Sequence, residues 1–293
     1  RDPHRLGRSL RCRGRTGRAS IARPPYSEVM SPELVIEGRL ARITLRDPAR
    51  RNALDADALC VLREHLTTVA GVAGFDGAVD ALLLAGEGQA FCAGFDLAAC
   101  AEEPRRVEPL LSGLSDCVQA LRALDVPVVA RVQGAALAGG CALLTGCDFV
   151  VVAEDAQIGY PTHRIGISPA VSIPSLLSRM GPGARALMMS NEILDGSAAV
   201  ARGLATHAAP ADALDEVCAA LVASLLAKGP RAMRETKRLI RTIEERGACD
   251  MGPVAPRDAE AMRAARDASM ALAAGDEFAS MLRAFWSARS GSR

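Results

Sequence analysis

The sequence predicts an α/β domain followed by an all-helical C-terminal region. Three observations carry this expectation. Short apolar, strand-like runs alternate with helix-patterned stretches up to residue 153, two of those runs lead into glycine-containing turns, and from about residue 212 only helical periodicity remains. Alternation of this kind favours parallel strand pairs joined by helical crossovers.

Taken in order, Leu34–Ile36 and Ala41–Leu45 flank Glu37-Gly38 and read as a hairpin. Asp55 stands at an N-cap position, ahead of Leu59, Leu62, Leu66 and Val69 at three- and four-residue steps. Ala81–Ala85 is apolar throughout, as a buried strand is, and the turn-rich Gly86-Glu87-Gly88 follows it. A helix is predicted over 107–124, ending before Pro127, and Val128–Val132 forms the next strand. Gly139-Gly140 opens a short helix through Leu144, and Phe149–Ala153 is another strand. Helical patterns then cover 213–227, 231–246, 257–273 and 276–289, broken at Gly229-Pro230 and Gly252-Pro253. The expected organisation is an extension over 1–29, an α/β core over 30–211 and a helical region over 212–293. That last region has little core of its own and must pack on the α/β part or on another subunit.

Composition narrows the function classes. With 49% hydrophobic residues in 293, the chain can bury a large core. No run of about twenty apolar residues is free of charge, so no membrane span is expected. Residues 1–29 hold eight Arg against Asp2 and Glu28, whereas the whole chain carries a net charge of only +1. The remainder is therefore mildly acidic, and nucleic-acid binding is not indicated. The extension lacks apolar periodicity and is expected to be unfolded. Three readings compete for it: a translated upstream stretch, an organelle transit peptide, or a basic binding arm. The non-Met first residue, and Met30 just before the first strand, favour the upstream stretch. Lys228 and Lys237 are the only lysines beside 33 arginines, a skew that reads as coding bias.

Nine cysteines show neither a C-x-x-C pair nor zinc-like spacing with histidine. Reduced thiols in a cytoplasmic setting are the simplest account, with Cys92, Cys141 and Cys147 as buried structural residues. There is no P-loop, no G-x-G-x-x-G after a strand and no H-E-x-x-H. Neither a metal nor a separate cofactor is expected.

Two turns point to chemistry. AFCAGFDL (90–97) follows a strand, and VQGAALAGGC (132–141) joins a strand to a helix. Glycines after a strand let the backbone approach a ligand, and a helix beginning at Gly139 directs unused N–H groups outward. Such a place suits an oxyanion, although an ordinary strand–helix turn reads the same way.

A longer series carries a resemblance. Ile43-Thr44-Leu45, Arg51-Asn52-Ala53-Leu54, the two turns just named, AQIGYPTHRIGISPA (156–170), ARALMMSNEILDGSAAVARGLA (184–205) and AFWSAR (284–289) occur in one order with sensible spacing. Over about residues 33–290 the chain resembles the enoyl-CoA hydratase/isomerase, or crotonase, superfamily. The resemblance implies a crotonase (ClpP-like) spiral of ββα units with a C-terminal helical trimerisation region, in a cytoplasmic homotrimer or homohexamer of acyl-CoA metabolism. It implies an acyl-CoA thioester as substrate, with CoA belonging to the substrate and not to a cofactor. The oxyanion hole would be the N–H groups of Phe95 and Gly139. Arg51, Asn52, Ala53, Leu54, Asp96, Leu97 and Ala98 would line the CoA path, and Phe285 would reach a neighbouring subunit's CoA. The family's lysine just beyond that aromatic is Ala288 here, next to Arg289.

The sequence departs from the family where acids and bases are expected. The positions of the two hydratase glutamates are Ala142 and Thr162, and that of the aspartate used by dienoyl isomerases and aryl dehalogenases is Ala170. Neither Ala nor Thr can act as a general base near neutral pH. A two-glutamate hydration mechanism is therefore not expected. His163 and Tyr160 are the candidate replacements, each with a plain structural alternative, and Glu102, Glu103 and Glu108 are further carboxylates in the segment after the first turn. Asp148 reads as a tie between strand and helix, and His65 and His207 as ordinary surface and edge residues. The two functional readings are a hydratase/isomerase-type lyase or isomerase working through a thioester enolate, and a non-catalytic acyl-CoA binder or partner subunit.

Overall fold

A computed structural model describes residues 32–73, 77–97, 100, 104–248 and 280. The predicted helices at 257–273 and 276–289, the Gly252-Pro253 break, the extension over 1–29, and Ala98, Glu102, Glu103, Phe285, Ala288 and Arg289 lie outside these residues, Ser280 apart.

Strands β1 (Glu33–Glu37) and β2 (Leu40–Leu45) form an antiparallel hairpin, with Glu37 paired to Leu40 across the turn. In β2, Ala41, Ile43 and Leu45 are buried while Arg42 is exposed, the period-two pattern of a strand with one face in the core. β3 (Ala81–Gly86) is buried at every position, as expected of a strand covered on both faces. β4 (Val128–Val132), β6 (Phe149–Ala153) and β9 (His207–Ala209) complete a six-stranded sheet in the order β1-β2-β3-β4-β6-β9, parallel from β2 onward. A second, three-stranded sheet orders β5 (Ala135–Leu137), β7 (Gln157–Gly159) and β8 (Ile193–Leu194). This small sheet has no clear signal in the sequence, because two- and three-residue strands are too short to show a period.

Helix α1 (Ala56–Val72) starts at Asp55, whose side chain accepts from the Ala58 N–H, and buries Leu59, Leu62, Leu66 and Val69 as its spacing predicts. It packs against α2 (Val107–Ala123). The short helix α3 (Gly139–Leu144) is entirely buried. Helices α4 (Ile173–Met180), α5 (Gly183–Ser190) and α6 (Gly196–Ala201) follow. Helix α7 (Leu214–Leu226) lies on β3, β4, β6 and β9, and its Leu214, Cys218, Val222 and Leu225 enter the same core as the strands. No helix among the described residues is long and apolar enough to cross a membrane.

Helix α8 (Pro230–Ala248) is attached through charge. The Lys237 ammonium donates to Asp148 Oδ2 at 2.7 Å and to the Val126 carbonyl at 2.8 Å, and the same carboxylate oxygen accepts from the Val128 N–H at 2.7 Å. Asp148 thus ties the start of β4 to α8. One turn earlier, the buried Arg234 pairs with Asp80 and donates to the Val79 carbonyl at 3.0 Å. Removing one partner of a buried pair leaves the other charge without compensation. Lys237→Met leaves the Val126 carbonyl without its donor and is expected to lower the free energy of unfolding by about 1–2 kcal/mol, measured by urea denaturation, with α8 losing amide-exchange protection first.

Candidate active site

The two glycine turns lie against each other and are joined by main-chain bonds. Phe91 N–H donates to the Gln133 carbonyl (2.9 Å), Cys92 N–H to the Ala135 carbonyl (2.9 Å), and Leu137 N–H to the Cys92 carbonyl (3.0 Å). Cys92 and Ala136 form a parallel bridge within this zipper. The approach is close enough to require glycine: a Cβ on Gly140 would stand 2.3 Å from the Cys92 oxygen. Gly94 holds a φ of +103° while its carbonyl accepts from the Leu54 N–H at 2.7 Å.

Leu54 brackets Phe95. It donates to the carbonyl of Gly94 and accepts from the N–H of Asp96 at 2.9 Å, the bond pattern of a parallel bridge. In that pattern the bracketed residue turns its own N–H and carbonyl away from the partner strand, so the Phe95 N–H points away from Leu54. On the other turn, Ala138 N–H donates to the Gly159 carbonyl (2.9 Å) and the Ala138 carbonyl accepts from the Ala142 N–H (2.9 Å), which fixes the peptides on both sides of Ala138. Ala138 has φ +49° and ψ −108°, a conformation that costs a non-glycine residue about 1–3 kcal/mol and that clusters at functional sites. Gly139 begins α3, where the first turn leaves N–H groups unused. A Cβ on Gly139 would lie 3.4 Å from the Phe95 ring, so the two turns are in contact at these residues. Among the described residues neither the Phe95 nor the Gly139 N–H has a main-chain acceptor.

Beside this junction is a cavity of about 170 Å³. Phe95, Gly139, Leu97, Leu111, Leu114 and Leu137 form one part of its wall, and Tyr160, Thr162, Ile167 and Val171 another. No Asp, Glu, His, Lys or Arg is among the described residues that line it. Tyr160 is 1% exposed. The hydroxyl oxygens of Tyr160 and Thr162 are shut off from the cavity surface and have no hydrogen-bond partner at normal geometry. Burial, followed by the neighbouring Cys141 thiol, pushes the Tyr160 hydroxyl well above its ordinary pKa, so it stays protonated. Burial likewise pushes the Cys92 and Cys141 thiols up to about 12. The wall is neutral and contains no thiolate.

The other sequence candidates divide clearly. Ala142 is buried in α3 and Ala170 is exposed, and neither lines the cavity. His163 lies in the 3₁₀ turn Pro161–Ile165, exposed and away from the cavity wall, as does Arg164 beside it. Glu108 is exposed in the first turn of α2. Of the expected CoA path, Arg51 is exposed and Ala53 and Leu97 are half-buried. The Asn52 amide is fully occupied inside the protein: its oxygen accepts from the Asp47 N–H, and its nitrogen donates to the carbonyls of Glu87 and Ala90. Asn52 therefore joins the loop before α1 to the loop before Phe95, and its side chain is not offered to a ligand.

Arg50 was not singled out by the sequence. Its guanidinium bonds Asp47 (2.6 Å), Asp96 (2.7 Å) and Asp55 (3.2 Å), and so connects the α1 cap to the residue after Phe95. Asp47 and Asp55 lie near it in the chain, but Asp96 is brought there only by the fold. A larger cleft of about 380 Å³ lies between α2, α4 and α8. Its cations are engaged: Arg122 with Glu244, Lys237 with Asp148, Arg241 with Asp125, and Arg179 with the carbonyls of Leu204 and Cys147. It reads as a seam between helices. The buried thiols make a test of the site's construction. At pH 8 a maleimide is expected to leave Cys92 and Cys141 unmodified in the folded protein and to label both after unfolding, read by peptide mass spectrometry. Because their folded pKa exceeds the unfolded value, their contribution to stability is complete below about pH 9 and declines as pH rises towards 12.

Comparison with known proteins agrees with this geometry. A family profile described as enoyl-CoA hydratase/isomerase matches residues 36–248. The chain is 38% identical over 204 residues to "Probable enoyl-CoA hydratase echA6" of Mycobacterium bovis, covering 68% of this chain and 77% of that protein. It is 32% identical over 206 residues to the crotonyl-CoA hydratase of Syntrophomonas wolfei, covering 69% and 77%. The solved enoyl-CoA hydratase of Mycobacterium smegmatis superposes with a TM-score of 0.77 at 27% identity, over 87% of this chain and 96% of that one. With the family profile spanning most of the chain and the fold shared from end to end of such a neighbour, this protein belongs to the enoyl-CoA hydratase/isomerase family.

Proposed function

We propose that this protein is an acyl-CoA enzyme that holds the thioester carbonyl oxygen between the N–H groups of Phe95 and Gly139 and works through the enolate that forms there. The observation that supports the reading is the contact of the Phe95 and Gly139 turns beside a mostly apolar cavity, with neither N–H given a main-chain acceptor among the described residues. Negative charge gathers on one oxygen when a thioester loses a proton, or a carbon substituent, from its α-carbon. Donors held in place before the reaction stabilise that charge without reorganising, and each is worth about 3–4 kcal/mol in comparable sites.

The hydration route that uses two glutamates does not suit this chain. Ala142, Thr162 and Ala170 provide no carboxylate, and the described lining contains no acid or base. Tyr160 remains protonated, so it cannot serve as a base, and its hydroxyl oxygen is buried. His163 is turned to solvent. A lyase step that breaks a carbon–carbon bond fits such a site: the departing carbon leaves without the bond's electron pair, the pair enters the enolate, and solvent water then protonates the α-carbon. The second reading, a non-catalytic acyl-CoA binder, is favoured by the same three vacant positions.

Two further parts of this reading come from the family resemblance. Exposed Leu177, Met189 and Ile193 on neighbouring segments offer apolar area that further copies in a homotrimer or homohexamer can cover. The seven described cysteines are all free, which supports a reducing, cytoplasm-like compartment.

Incubation with a panel of CoA thioesters in D₂O separates the two functional readings. Deuterium uptake at the α-carbon, or consumption of a thioester, is expected for the enzyme. Tight binding with neither, across the panel, identifies the binder. Gly139→Pro deletes one donor at the first position of a helix, and because Ala138 precedes it at φ +49°, its urea midpoint is measured beside its exchange rate. Exchange or turnover is expected to fall by about 10²–10³ in that variant, with the circular dichroism spectrum retained.

A further inference from the structure

We propose that Arg50 is a positioning residue for the oxyanion site, clamping the bridge between Leu54 and Phe95 so that the Phe95 N–H keeps its aim. This rests on the acyl-CoA reading above and adds to it a residue that acts only through its neighbours. Phe95 owes its orientation to Leu54. The Leu54 N–H donates to the Gly94 carbonyl at 2.7 Å, and that carbonyl belongs to the same peptide group as the Phe95 N–H. Any slip of Leu54 against Phe95 therefore turns the donor.

The residues that follow this pair, Asp55 and Asp96, are held by one guanidinium. Arg50 Nη1 donates to Asp96 Oδ2 at 2.7 Å and Nη2 to Asp55 Oδ2 at 3.2 Å, so the fork spans the two chain segments just beyond the bridge. The Nε donates to Asp47 Oδ2 at 2.6 Å. Two of the three carboxylates are themselves fixed to backbone: Asp47 Oδ1 accepts from the Arg50 N–H at 3.1 Å, and Asp55 Oδ1 from the Ala58 N–H at 2.8 Å at the start of α1. Asp96 is thus tied to a rigid post. The Arg50 side chain is 42% exposed, and ion pairs so open to water contribute little to stability. What three donors on one planar group do provide is geometry. Geometry matters here, because a misplacement of about 1 Å can cost an active site about 10²-fold.

The test uses the full chain and acetoacetyl-CoA, a thioester whose enolate has its own ultraviolet absorption band. The pH midpoint of enolate formation in the bound probe reads the oxyanion donors without requiring turnover or a catalytic base. In Arg50→Ala and in Asp96→Ala the midpoint is expected to rise by about one unit, a tenfold loss in the enolate equilibrium. The direction in Asp96→Ala separates geometry from charge. Removing a nearby carboxylate lowers the midpoint if only its charge matters, whereas releasing the clamp raises it. Asp96→Ala also leaves Arg50 paired with Asp47 and Asp55, so it decides the matter even where Arg50→Ala does not fold. A midpoint that falls or stays in Asp96→Ala would overturn the inference while leaving the acyl-CoA reading intact. A rise in Asp96→Ala that a folded Arg50→Ala does not share would assign the effect to Asp96 alone and overturn it too. Failure of acetoacetyl-CoA to bind, or a midpoint in the wild-type protein no lower than that of the free thioester, would overturn the acyl-CoA reading together with it.

Discussion

The main-chain zipper between residues 91–92 and 133–137 is the contact on which the site depends. Three hydrogen bonds bring together two turns that follow different strands of one parallel sheet, and Gly140 permits the approach by presenting no side chain to the Cys92 carbonyl. The parallel order β3–β4 makes this meeting possible, because both strands end on the same edge and release their turns side by side. A side chain at Gly140 would separate the turns and part the Phe95 and Gly139 donors with them.

Around that zipper, the protein uses rigid local devices to hold backbone in place. Leu54 fixes the peptides on both sides of Phe95, Asn52 ties two loops with one amide, and Arg50 joins Asp47 and Asp55 to the distant Asp96. Ala138 is held at a strained φ between a bond to Gly159 and the start of α3. Strain of this kind persists only where the surroundings over-determine it. Donors prepared in this way need not move when charge develops, which is the property an oxyanion site requires.

Membership of a family and its best-known chemistry separate in this chain. The fold is shared with the family, whereas the paired amides and the ligand they would hold belong to the proposed function. At the positions where the family resemblance would place hydratase glutamates, this chain has Ala142 and Thr162. Buried Tyr160 and Cys141 are kept neutral by their surroundings. The resulting environment is one of low polarity, in which two fixed main-chain dipoles have more influence than they would in water.

Much of the architecture was legible in the sequence because its signals are local. The Asp55 cap, the leucine spacing of α1, the fully apolar β3 and the glycines before α3 each act within a few residues, and each appears where its pattern places it. The short strands of the second sheet were not legible, since they exist only through their partners. In the site, the sequence by itself determined which residue types were present and which acids were absent. Tertiary structure alone decided that the Tyr160 hydroxyl is buried, that His163 faces solvent, that Arg50 meets Asp96 across 46 residues, and that the described residues of the cavity wall carry no charge. The reason is physical: conformational preference and periodicity are properties of neighbouring residues, whereas the direction of a donor and the charge of a pocket are sums over segments that only folding brings together.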